Sequence, residues 1–451
     1  MNNRSAVRPF SLRRRNANSA GFERLEPRLL LATFNPLASA ADGSPDSLRA
    51  AVIASNTNGE DDVIELGTAE YIFSLSGDEE DNGATGDLDV REQGTTLTIR
   101  GKGIDLTVIN ADFLDRVIEV HNDATLILED LTLTNGTVGN ENGGGFRNLG
   151  TATLRNVKVH NNFQTENVQG SPRGGGGINS LGDLVIEGGV ISANVSAGAF
   201  GGGGIYNTGN LTIRGGTIIE GNQANRDGGG IRIAFRTTHI EDAIIRNNTG
   251  INDGGGIFIV NDTDVHVTLD NVQIIDNDTG TDGRGGGIRN GGMLTITNST
   301  IEGNDTPGTN ARGGGIYHEN DDANLSIMTS SIIGNTGDTG GGVYITSEST
   351  FDITRTTIAN NIVEDDGAGL WNGSLSSGTI DNSTISGNQA KRGGGVIFNY
   401  GALDITNTPT TNNRADKDGP LGGSVFVGGG GIKGGSAPTL TLHNTIVATN
   451  F

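Results

Sequence analysis

Apolar residues in this chain fall at long, regular intervals, each announced by glycines. A Gly-Gly-Gly triplet followed by one aliphatic or aromatic residue stands at 143–146, 174–178, 201–205, 228–231, 254–257, 285–288, 313–316, 340–343, 393–396 and 428–432, with Gly-Ala-Gly at 367–370. Successive apolar residues of this marker lie 26 to 36 positions apart. A period of that length signals a solenoid, each repeat being one coil. A second marker keeps the same period: an aliphatic residue three positions before an asparagine, as at Val159 and Asn162. It continues at Asn194, Asn222, Asn248, Asn277, Asn304, Asn335, Asn361 and Asn388. Glycine marker and asparagine keep a nearly fixed separation, whereas the step onward to the next glycines varies, so insertions collect at one corner.

Between the two markers the pattern alternates apolar with polar, as in Ile205-Tyr206-Asn207, Asn210-Leu211-Thr212-Ile213 and Thr217-Ile218-Ile219. Such runs, rich in Ile, Val and Thr, suit half-buried strands. No helical segment separates them, which argues against βαβ units and leucine-rich horseshoes. The expected fold is all-β: a right-handed parallel β-helix with three strands per turn, coils about 4.8 Å apart. The asparagines, at a constant corner, are positioned to bond their copies above and below as a ladder and to take left-handed backbone angles.

Three regions follow. Residues 1–40 form a basic leader or sorting segment, largely disordered and carrying seven of the chain's arginines within its first thirty positions. Residues 41–140 form an N-terminal cap and the first imperfect coils, and 141–451 form the repeats. Ser44-Pro45 opens a short predicted helix through Val52, with Ser44 as its cap and Pro45 in its first turn. Laid over the open end of a solenoid, such a helix would cover exposed core. Near the other end, Leu440 to Val447 begins another coil with no visible cap, which predicts self-association there.

Particular segments resemble known families. Phe22-Glu23-Arg24-Leu25-Glu26-Pro27-Arg28-Leu29-Leu30-Leu31 resembles the LEPR-XLL segment of exported or surface proteins of planctomycete-like bacteria. Ser47-Leu48-Arg49-Ala50-Ala51, Asp62 to Leu66, Gly86-Asp87-Leu88-Asp89 and Leu114-Asp115-Arg116-Val117 are similar to the CSLREA domain, Asp46 standing where that family has cysteine. The glycine and asparagine markers resemble the repeats of chlamydial polymorphic outer membrane proteins and other pectate-lyase-like β-helices. These resemblances imply a secreted or surface-attached β-helix, extracellular or associated with the outer membrane.

Composition narrows the chemistry. The net charge is −23 with 75 glycines and no cysteine. That excludes disulfides and cysteine-bound metals, and it disfavours nucleic acid, which needs a basic surface. No apolar run is long enough to form a transmembrane helix. The six histidines are dispersed, and no cofactor motif or metal ligand set is present. Calcium is the one ion left open, at loop acids such as Asp276, Asp278 and Asp282 or Asp365 and Asp366.

The residue after each marker points outward by strand alternation. That column reads Arg147, Asn179, Tyr206, Arg232, Phe258, Arg289, Tyr317, Tyr344, Trp371, Ile397 and Lys433. Tyr206, Arg232, Phe258, Arg289, Tyr317, Tyr344 and Trp371 are the candidate ligand-binding residues: rings to stack sugars, guanidiniums to pair acidic polysaccharide. Aromatic residues also ladder in strands purely to stabilise the stack. The functional expectation is an adhesin or structural scaffold binding polysaccharide or another cell-surface ligand. The rival is a polysaccharide lyase or glycoside hydrolase of the same fold, recognisable by acids and a base converging on adjacent coils. No catalytic residue is assigned.

Overall fold

A computed structural model describes residues 32–450 apart from 78–79, 81, 140, 166–173, 320–322, 416–430 and 435–437. The fold is an all-β parallel solenoid of about 14 turns. One coil illustrates it. Ile205–Asn207, Leu211–Arg214, Ile218–Glu220 and Gln223–Ala224 are strands in succession, and each pairs in parallel with its counterpart in the next coil. The strands that carry the marker residues form a 13-stranded sheet, and the second and third strands of each coil merge into a 25-stranded sheet. They merge because some strands, such as Thr237–Arg246, turn the corner unbroken at a left-handed residue, Asp242. The fourth strand, two residues long, was not among the three predicted runs. It builds two small sheets of six and four strands.

Marker residues point inward and join one core that runs from Leu48 to Ile432. The glycines before them let coils approach at the corner. Gly228 has φ +67°, and a Cβ on Gly230 would lie 2.7 Å from the Gly256 carbonyl of the next coil. At the marker 393–396 the sequence reading is one residue out of register. Ile397, not Val396, pairs with Leu370, so Ile397 is core and Phe398 takes the outward place beside Trp371.

The asparagines occupy the facing corner as a continuous buried ladder. Each Nδ2 from Asn162 through Asn194, Asn222, Asn248, Asn277, Asn304, Asn335, Asn361, Asn388 and Asn413 donates to the next Oδ1 at 2.9–3.0 Å, ending on Asn450. The same Oδ1 accepts a backbone N–H, and the same Nδ2 reaches a carbonyl, as Asn248 does to Ile219 at 2.9 Å. All four bonds of each amide are therefore made inside the protein. The left-handed angle belongs instead to the residue before, for example Asn161, Asn247, Asp276, Asn360 and Asn412.

The capping helix is Leu48–Ser55. Its cap is Ser47, whose side chain accepts from the Ala50 N–H at 3.1 Å, while Ser44 and Pro45 lie in the preceding turn. Leu48, Ala51 and Val52 are buried against the first coils. Residues 1–31 of the leader lie outside the described residues, but Ala32–Phe34 is already a strand paired with Asp62–Ile64. On the marker face, Leu88–Val90 pairs with Ile118–Val120, which pairs in turn with Phe146–Asn148. In the last described coil Leu440, Leu442 and Ile446 are exposed. Among the described residues no helix is long and apolar enough to cross a membrane.

Candidate functional site

The outward row lies in register along one sheet: Asp89, Glu119, Arg147, Asn179, Tyr206, Arg232, Phe258, Arg289, Tyr317, Tyr344, Trp371, Phe398 and Lys433. Rings of Tyr317, Tyr344, Trp371 and Phe398 stack at centroid distances of 5.3, 5.6 and 4.6 Å with planes within 15° of parallel. Arg289 lies 4.5 Å from the Phe258 ring centre.

Outward does not mean open. Tyr206, Arg232, Phe258, Arg289, Tyr317 and Tyr344 are only 3–8% exposed; of the seven candidates Trp371 alone is half-buried. Side chains from flanking turns cover them. Phe200 lies 4.9 Å from the Arg232 guanidinium, Arg284 and Arg312 lie over Tyr317 and Tyr344, and Tyr400 tilts onto Trp371 at 5.3 Å. Sequence alternation gives direction but not what the neighbouring turns lay on top. Burial lowers the Arg232 pKa, with Tyr206 and Asp227 offsetting it in part, and burial likewise lowers Arg289, whose guanidinium bonds Glu319 and the Ile259 carbonyl.

An open concavity lies one step further round. A groove of about 1020 Å³ runs beside the row and along the corner after it, lined by Asn142, Asn179, Leu181, Tyr206, Thr208, Asn210, Phe235, Arg236, Thr237, Asp262 and Asp264. It crosses five coils, a span of roughly 19 Å at the coil spacing. Leu181 and Phe235 stand 47% and 54% exposed on its wall. At its floor Asn179 is fully buried, and neither Nδ2 nor Oδ1 of its amide has a protein hydrogen-bond partner. Contrast the ladder asparagines, every one satisfied. The sequence pointed to Tyr206 but not to the corner residues, which belong to no repeated marker.

A second cluster sits at the N-terminal end of the same row. Asp87, Asp89 and Glu119 bring carboxylate oxygens within 4.8 Å of one another on adjacent coils, with His121 2.6 Å from Asp89. This is the convergence expected of the enzymatic rival. The centre is filled, however: Arg116 Nη1 lies 2.7 Å from Asp87 and also bonds Glu119, while Nη2 bonds Glu141. The guanidinium takes the place a cation would, and a substrate would have to displace it. Burial pushes the Asp87 carboxyl well above the ordinary range despite Arg116. Burial also works against the charge of Arg116, but Asp87, Glu119 and Glu141 outweigh it and raise that group. Arg49 of the capping helix, equally buried, bonds Asp42 and the carbonyls of Gly83, Gly86 and Asp87. Arg49 of the helix and Arg116 thus both bond Asp87, a clasp that fastens the cap to the first coils.

Asp365 pairs with Arg392 at 3.0 Å and Asp366 with Lys433 at 3.4 Å. Asp278 bridges to Asp305 in the next coil, and its carboxyl is pushed up to about 6 by burial and by that neighbour.

Among solved structures, the chain is similar to the A-module of the Azotobacter vinelandii mannuronan C-5 epimerase AlgE4 (15% identity, covering 93% of this chain and 99% of that one, TM-score 0.46). It is similar to the same module of AlgE6 at 17% identity, covering 92% and 99%, with TM-score 0.46. No protein family and no curated protein matches the chain.

Proposed function

We propose that this protein is an exported surface or matrix scaffold that holds an extended polysaccharide along the groove between Asn142 and Asp264. The observation that carries the reading is the Asn179 amide, buried on the groove floor with donor and acceptor both unused. Leaving such a group unpaired costs about 1–3 kcal/mol, which a ligand offering hydrogen bonds recovers. The rest of the groove suits a chain of sugars. Phe235 and Leu181 offer apolar faces to ring C–H groups, Thr208 and Asn210 offer hydrogen bonds, and the length fits several sugar units laid along the rod. Of the row Tyr206, Arg232, Phe258, Arg289, Tyr317, Tyr344 and Trp371, only Tyr206 lines the groove; Arg232 and Phe258 stand on its coils without lining it, and the other four stand on later coils.

Migration through polysaccharide-containing native gels tests this. The full chain is expected to be retarded by at least one polymer, with retardation lost in Asn179→Leu and in Phe235→Ala. Equal retardation of both variants and the parent would remove the groove from consideration. The rival reading, cleavage by a lyase or hydrolase, has Asp87, Asp89, Glu119 and His121 as its candidates; release of shorter chains from a retained polymer, abolished in Asp89→Asn, would favour it.

A further inference from the structure

Resting on the groove reading, we infer that the polymer it takes is uncharged and rich in hydroxyl groups, not a uronate or a sulfated glycan. The Asn179 amide presents one acceptor and two donors, all buried. A pair of sugar hydroxyls answers both, since a hydroxyl donates and accepts. A carboxylate or sulfate only accepts, and it would satisfy Nδ2 while setting its own charge against Oδ1.

The cations of the outward row are paired with acids or enclosed by rings. Arg147 bonds Glu119 at 3.1 Å. Arg289 bonds Glu319 and the Ile259 carbonyl. The Arg232 guanidinium lies enclosed 4.9, 5.4 and 5.1 Å from the rings of Phe200, Tyr206 and Phe258. Among the described residues lining the groove, Arg236 is the one cation, outnumbered by the two acids Asp262 and Asp264. A chain carrying −23 charges adds a field that repels polyanions over about 8 Å at physiological salt. The exposed Phe235 and Leu181 fit the apolar face of a neutral pyranose, which needs no counter-ion to be desolvated.

The test is titration of the full chain with neutral hexasaccharides (cellohexaose, mannohexaose, maltohexaose) and with acidic ones (hexagalacturonate, hexamannuronate, hexaguluronate), at low and high salt. At least one neutral ligand is expected to bind, independently of salt, and about tenfold more tightly than any uronate. Asn179→Leu should abolish that binding, and Phe235→Ala, at an exposed position that leaves folding intact, should weaken it. Tighter binding of a uronate, falling with salt, overturns the inference while leaving the groove in place as the site. Binding of neither class, or binding indifferent to both substitutions, overturns the groove reading itself.

Discussion

The two halves of the rod solve the same stacking problem with different chemistry. At the outer end of the second strand, the N-terminal half alternates charge from coil to coil: Glu65, Arg100, Glu129, Arg155, Glu187 and Arg214, each pairing with its neighbours. In the C-terminal half the same column reads Thr297, Met328, Thr354, Asp381, Thr406 and His443, with no alternation of opposite charges. On the marker face Asp89, Glu119 and Arg147 give way to Tyr317, Tyr344, Trp371 and Phe398. At the corner before the third strand, Val157, Ala243 and Val272 are followed by Ser299, Ser330, Thr356, Ser383 and Thr408, whose side-chain oxygens each accept a backbone N–H from the coil before. The stack constrains which neighbours may touch, not which residue recurs.

The largest way to break this comparison is at the N-terminal clasp. Replacing Arg116 by alanine leaves Glu119 buried without the cation beside it and Asp87 without its hydrogen-bond donor, and removing one partner of a buried ion pair costs roughly 3–5 kcal/mol. The full chain should show a lowered unfolding midpoint in urea, with the cap opening first by hydrogen exchange. An unchanged midpoint would mean the cluster is not what fastens the helix.

Next in size is a pH effect whose sign separates the two ends. His318 is fully buried beside Asn290, and burial holds its pKa down to about 4. The folded state therefore favours the neutral ring. Its contribution is complete above the ordinary histidine pKa and is lost as pH falls from 6.5 through 4, a difference of at most about 3 kcal/mol. Asp87 has the opposite sense: its carboxyl is raised by burial, so its protonated form is favoured in the fold and acid costs nothing there. Urea unfolding across this range should show His318→Asn flattening the acid-side loss of stability. The same slope in both proteins would place the titrating group elsewhere.

How much of this was legible in the sequence follows from the same contrast. Glycine triplets and ladder asparagines recur as identical residues, because only one residue type passes backbone at contact distance or satisfies four hydrogen bonds from one corner. A period search finds them. The charged and aromatic columns work by complementarity between unlike neighbours, and an alternation of Glu with Arg reads as noise to such a search. The outward row was legible in direction, not in exposure, since Phe200, Arg284, Arg312 and Tyr400 arrive from turns of unequal length. The groove residues Leu181, Phe235 and Asp264 share no motif at all; Asn179 stands on the marker strand between Arg147 and Tyr206, with no amide above or below it.

A third, smaller break separates support from docking in the aromatic half. Trp371→Ala removes a ring stacked on Tyr344 and Phe398, and because it is half-buried the loss should fall near 2–3 kcal/mol, below the roughly 3–5 of a fully buried ring. Polysaccharide retardation should be unaffected once the protein is folded. Retardation lost together with stability would return the row to the ligand.

The smallest effect sharpens the charged column itself. Glu129 lies between Arg100 at 2.7 Å and Arg155 at 2.9 Å, and both arginines are more than two-fifths exposed. Burial alone would raise the Glu129 carboxyl, but its bonds to the two arginines outweigh this and lower it. Its contribution is therefore present above the ordinary carboxylate pKa and is lost as pH falls through the lowered one. Exposed pairs contribute little, so Glu129→Gln should cost about 0.5–1 kcal/mol at low salt and less at high salt. Thr354→Val, at the equivalent place in the half without alternating charges, should show no salt dependence of its effect. If the two substitutions respond to salt alike, the alternating charges contribute shape and not electrostatics, and the two halves are held by one kind of interaction after all.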